Sequence, residues 1–148
     1  MNQIGSETQV ATRSVVMEKE FAHPREKVWR ALTESDLIAQ WLMDNDFQPV
    51  VGHGFKFRMP PSPGWEGVIE SEVLVAEPPE RLSYSWGAMG LESVVTWTLV
   101  STSSGTLVRM EHSGFGEDQE AAYKGATYGW RGFFGKLEQV VGEIKEGV

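Results

Sequence analysis

His112 closes an alternating run, Val108–Met110–His112, in which every second residue shares one face of a strand. An imidazole on an inner strand face can donate a hydrogen bond or move a proton. It can equally be a paired histidine that closes the strand end, because buried polar groups are ordinarily hydrogen-bonded. Tyr123, on the helical stretch that follows, is the second candidate acid–base group. The 3 histidines are far apart in sequence, with His23 and His53 in turn-like stretches expected at the surface, so no metal is expected. Glu66, Glu70 and Glu72 share one parity and read as a solvated outer face rather than a catalytic pair. Asp44 and Asp46 follow Trp41 in a loop, where they either rim a cavity mouth or stand in solvent. No serine sits in a nucleophile elbow, and there is neither a phosphate loop nor a dinucleotide fingerprint, so no cofactor is expected.

The other chemistry-bearing feature is 6 tryptophans in 148 residues. Each needs space and a partner for its indole N–H. One explanation is an unusually aromatic core, the usual fate of aromatic stripes. The other is that some of the rings face a cavity. Strand and helix parity turn Trp41, Phe57, Met59, Trp65, Trp86, Met110, His112, Tyr123 and Trp130 toward one interior, and these are the candidate lining. Their chemistry suits a flat, largely apolar ligand held by stacking and one or two hydrogen bonds. The methionines would adapt to its shape.

The elements that must position these residues are legible in the pattern. Residues 1–12 are polar and aperiodic and read as a loose tail, with a single domain over 13–148. Arg13 to Phe21 reads as a strand, broken by Ala22, His23 and Pro24. Pro24 suits the first turn of a helix that buries Val28, Trp29 and Leu32. Thr33 or Ser35 can cap a second short helix carrying Leu37, Ile38, Trp41 and Leu42. Strands then follow: Phe55, Phe57 and Met59; Trp65 to Ala76; Leu82, Tyr84 and Trp86; Glu92 to Val100; and Thr106 to His112. Short links between them imply an antiparallel meander.

From Glu117 onward the pattern predicts one helix, with Tyr123, Ala126, Trp130, Phe134, Leu137, Val141 and Ile144 as its buried stripe. At about 1.5 Å per residue it spans about 40 Å, so a sheet must curve around it. Gly125, Gly129, Gly132, Gly135 and Gly142 fall off that stripe. Each costs about 1 kcal/mol against alanine, so tertiary packing must hold the helix. Tyr128 projects among them, and a homodimer through this face is one expectation; a pliable surface without a partner is the other.

The net charge of -8 opposes nucleic acid or an anionic membrane as a main partner. With 0 cysteines, disulfides, thiolate metal sites and cysteine nucleophiles are excluded. No apolar run approaches a membrane span and the start does not read as a signal peptide, so a cytoplasmic location is expected.

Three stretches carry a family resemblance: FAHPREKVWRALTESDLIAQWL, GWEGVIESEVLVAEPPERLSYSW and VTWTLVSTSSGTLVRMEHSGF. Together they resemble the START-like (SRPBCC) superfamily. The branch they look most like is that of homologues of the C-terminal domain of the heat-shock-protein-ninety ATPase activator. The resemblance spans about Arg13 to Ile144. It implies an α+β helix-grip fold: a curved antiparallel sheet of about six or seven strands around a long C-terminal helix, with two short helices after the first strand. It also implies a choice of functions, because one fold hosts many activities. The leading expectation is a binder of a hydrophobic, aromatic small molecule. The rivals are a cyclase- or hydratase-like enzyme using His112 or Tyr123, and a chaperone-interacting adaptor of the ATPase-activator kind.

Overall fold

The computed structural model describes residues 13–144; the expected tail over 1–12 lies outside the described residues. Ten elements follow one another: β1 (Arg13–Phe21), α1 (Arg25–Thr33), α2 (Ser35–Trp41), β2 (Asp44–Asn45), β3 (Gly54–Arg58), β4 (Val68–Glu77), β5 (Arg81–Ala88), β6 (Leu91–Ser101), β7 (Thr106–Phe115) and α3 (Glu120–Glu143). The strands form one 7-stranded antiparallel sheet in the order β1-β7-β6-β5-β4-β3-β2. Only β1 is out of sequence order; it pairs with β7 along its whole length, which places the start of α3 beside the start of the chain's first strand. Arg13 ties the two together, with its guanidinium 4.1 Å above the Tyr123 ring and an ion pair to Glu120. This is the helix-grip architecture.

Alternation builds the inner face. Along β6, Leu91, Ser93, Val95, Trp97 and Leu99 are buried while the residues between them are partly or fully exposed. The α3 stripe meets this face through Trp130, Phe134, Leu137, Val140 and Val141. Trp97 is the hub. It is fully buried, stacks on Phe134 at 6.2 Å, and meets Trp41 and Trp130 edge-on at 5.6 and 5.9 Å. Its indole N–H donates to Tyr84 Oη at 3.1 Å, and burial pushes the Tyr84 phenol above its usual range. The two short helices close one end of the grip, with Trp41 of α2 donating its indole N–H to the Ala31 carbonyl of α1 at 2.8 Å.

Several local expectations are corrected. Helix α2 is preceded by Glu34 at its N-cap with no side-chain cap; Ser35 Oγ donates instead to the Asn45 carbonyl, and Thr33 Oγ1 to Trp29 O. Helix α3 starts at Glu120, after a turn in which the Gln119 side chain accepts from Gly116 N. His23 and His53 are half-buried rather than exposed. The strand expected from Trp65 begins only at Val68. The cause is Gly67, held at φ +81, where an added Cβ would lie 2.2 Å from the Met59 carbonyl oxygen. That close approach interrupts the strand and leaves Trp65 in a turn with Ser62. Within β4, a bulge between Val73 and Val75 shifts the register against β5, and Val75 is only partly buried where Val73 is fully so.

Candidate functional site

The grip closes tightly over the C-terminal half of α3 and stays open over its N-terminal half. There a cavity of ≈ 650 Å³ lies between the helix and the ends of β4, β5, β6 and β7. The reason is a set of small residues. Ala122, Gly125, Ala126 and Gly129 stand at positions i, i+3, i+4 and i+7, and all of them line the cavity. An α-helix brings such positions onto one side. Bulky side chains there would fill the space; nothing lies within 4 Å of a Cβ added at Gly125, and only Phe133 comes near one added at Gly129, at 3.6 Å.

Aromatic rings from the sheet and from the helix itself line the rest of the cavity. Trp86 on β5 and Trp130 on α3 meet at 5.6 Å and 48°, and Trp86 also packs on His112 at 5.3 Å. Trp65, Met59 and Met43 line one side, and Ile69, Ala88 and Leu91 continue the wall. Met89 overhangs from the β5–β6 turn. That turn is a two-residue loop closed by the Ala88–Leu91 pair, with Met89 at φ 52 and Gly90 at φ 83. Both positive values match the turn that suits the twist of a hairpin. Met89 is 75% exposed, and Asp118 and Gln119 complete the lining before the start of α3.

His112 lies at the cavity floor and is 1% exposed. Both of its ring nitrogens are engaged. The Trp130 indole N–H donates to Nδ1 at 2.9 Å, and Ser93 Oγ lies 2.8 Å from Nε2. Because an indole N–H only donates, Nδ1 must accept, and the neutral ring therefore carries its proton on Nε2. Nε2–H then donates to Ser93 Oγ, and Ser93 donates onward to the Trp86 carbonyl at 2.8 Å. The chain Trp130–His112–Ser93–Trp86 thus runs in one direction from the helix to the sheet. Burial lowers the His112 imidazole to about 4, so it is neutral near pH 7.

Of the nine residues expected to line a cavity, five meet there: Met59, Trp65, Trp86, His112 and Trp130. Trp41, Phe57 and Met110 point inward as parity requires but are sealed in the packed core, at 2%, 1% and 0% exposure. Tyr123 turns toward β1, between Phe115 and Arg13. Asp46 accepts a hydrogen bond from Lys56 N at 2.7 Å, which holds its carboxyl below the usual carboxylate range. Asp44 lies with Arg58 in an adjoining depression that shares Met43, Met59 and Phe133 with the cavity. Sequence reasoning missed Met43, Met89 and Phe133, and above all the small-residue face of α3. Its signal was present in the spacing of Ala122, Gly125, Ala126 and Gly129. Two of the glycines expected on an outer face are therefore cavity residues; Gly132 and Gly135 meet open space beside Tyr128, which is 81% exposed. Among the described residues, no helix is long and apolar enough to cross a membrane, and no group of His, Asp and Glu side chains could hold a metal ion.

A family model described as "Activator of Hsp90 ATPase homolog 1-like protein" matches residues 22–142. The chain is similar to the crystal structure of protein MLL2253 from Mesorhizobium loti, at 49% identity, over 90% of this chain and 99% of that one, with a TM-score of 0.83. It is also similar to the solution structure of Bacillus halodurans BH1534, at 28% identity, over 87% and 96% of the two chains, with a TM-score of 0.73. CalU16 from Micromonospora echinospora matches at 25% identity over 89% and 78%, with a TM-score of 0.73. A comparison with curated proteins returned no match.

Proposed function

We propose that this chain, which belongs to the Activator of Hsp90 ATPase homolog 1-like protein family, binds a flat hydrophobic small molecule in the cavity under the N-terminal half of α3. The observation that carries the reading is the pairing of a small-residue helix face with an aromatic wall around ≈ 650 Å³. That volume falls in the range of small-molecule sites, about 300–1,000 Å³. Trp86 and Trp130 offer stacking surfaces, and Met43, Met59 and Met89 offer adaptable contacts at the rim.

Acid–base catalysis by His112 finds less support. Its nitrogens are both committed, and its lowered affinity for protons leaves little imidazolium to act as an acid near neutral pH. The other rival, an adaptor on a chaperone, is supported by the family's name alone. A homodimer through Tyr128 has the exposed ring and the open space at Gly132 and Gly135 in its favour, and a monomer in sedimentation at micromolar concentration would remove it.

Gentle purification followed by native mass spectrometry tests the binding reading. The expected spectrum shows a small-molecule adduct that is lost on denaturation, or one that forms when naphthalene-sized compounds are added. A protein that stays unliganded against a panel of such compounds contradicts it.

A further inference from the structure

The cavity's polar atoms narrow the class of molecule it takes, and this step rests on the binding reading above. Three tryptophans line the space: Trp65, Trp86 and Trp130. Trp65 donates its indole N–H to the Val68 carbonyl at 3.2 Å, and Trp130 donates to His112. Trp86 is different. The residue is buried but not sealed, at 8% exposure; its N–H makes no hydrogen bond among the described residues, and its nitrogen is not among the polar atoms closed off from solvent. An indole N–H that is neither paired nor sealed, on a ring that lines a cavity, opens onto that cavity. It has no acceptor on the protein, so a bound molecule carrying one can take its hydrogen bond in place of water. His112 cannot serve as that acceptor, because Trp130 already occupies Nδ1 and Nε2 carries the proton.

The charges add a second constraint. No lysine or arginine lines the cavity among the described residues, and its one charged lining residue is Asp118. A carboxylate or phosphate would lose its hydration there with no opposite charge to replace it, at a high cost. We infer that the ligand is an uncharged aromatic molecule bearing a carbonyl-type acceptor, which receives the hydrogen bond of the Trp86 N–H while its rings lie against Trp86 and Trp130.

Three naphthalene probes of similar size separate the possibilities by calorimetry: 2-acetonaphthone, 2-ethylnaphthalene and 2-naphthoate. The ketone is expected to bind about fivefold more tightly than the hydrocarbon, the gain of one neutral hydrogen bond. The naphthoate is expected to bind more weakly than the ketone. In Trp86→Phe, which keeps an aromatic ring but removes the donor, the ketone-to-hydrocarbon ratio is expected to fall to about one. A ratio that survives the substitution overturns the assignment of the donor, and a naphthoate that binds best overturns the assignment of charge. Binding of the hydrocarbon with no preference for the ketone overturns this inference and leaves the cavity reading standing. Failure of all three probes to bind overturns both.

Discussion

The double substitution Gly125→Phe/Gly129→Phe is expected to weaken binding of any cavity ligand by at least about tenfold while leaving the protein folded. Both positions line the cavity on the small-residue face of α3; nothing lies within 4 Å of a Cβ built at Gly125, and one built at Gly129 meets only Phe133, itself a lining residue. Two benzyl groups projected from one wall occupy the space that a flat ligand would take against Trp86 and Trp130. The stability effect is expected to run the other way. Each exchange removes a glycine from a helix interior, which is worth a few tenths of a kcal/mol to about 1 kcal/mol per site, and the new rings gain apolar contact. Most core-directed substitutions cost stability; here the melting temperature is expected to hold or rise while affinity collapses. Differential scanning calorimetry beside a probe titration checks both halves. Unchanged affinity in a folded variant would show that the ligand sits elsewhere.

The second large effect is on stability against pH. His112 is lowered by burial to about 4 from an ordinary 6.5. Between those values the unfolded chain takes up a proton that the folded chain refuses. The contribution of His112 is therefore complete above pH 6.5 and is lost as the pH falls toward 4. At about pH 4.5 the loss is on the order of 2–3 kcal/mol. His112→Gln isolates it: the amide oxygen can still accept from Trp130 and the amide nitrogen can donate to Ser93, but the group does not titrate in this range. Urea denaturation of both proteins at about pH 7.5 and about pH 4.5 is expected to show wild type losing roughly 2–3 kcal/mol more than the variant. Parallel losses would mean that burial does not hold the ring neutral in the folded chain.

Much of the architecture was legible because two periodicities carry it. Alternation along Val95, Trp97 and Leu99 marked the inner sheet face, and the steps from Trp130 through Phe134 and Leu137 to Val141 marked the inner helix face. The site was only partly legible, because parity assigns a face but not a depth. Phe57 and Trp86 both point inward, yet Phe57 is packed among Phe55, Tyr84 and Trp86, whereas Trp86 reaches the cavity. Which end of a curved sheet stays open depends on how the helix lies across it, and that is a property of the whole fold. Trp65 shows a second limit: its place in a turn depends on the approach of Gly67 to the Met59 carbonyl, a contact between the residue just after β3 and the residue just before β4. The glycines show a third. Gly125 and Gly129 were readable as departures from the apolar stripe, but in the fold they sit beside that stripe on the cavity side, where the absence of a side chain leaves room for a ligand.

The central claim is that the space between the small-residue face of α3 and the Trp86–Trp130 wall holds the ligand. The direct measurement is a set of intermolecular nuclear Overhauser effects between bound 2-acetonaphthone and the labelled protein. Contacts from the naphthalene protons to the indole protons of Trp86 and Trp130 and to the methyl groups of Ala122 and Ala126 are the predicted result. Contacts confined to the exposed Tyr128 face, with none to Trp86 or Ala126, would contradict it.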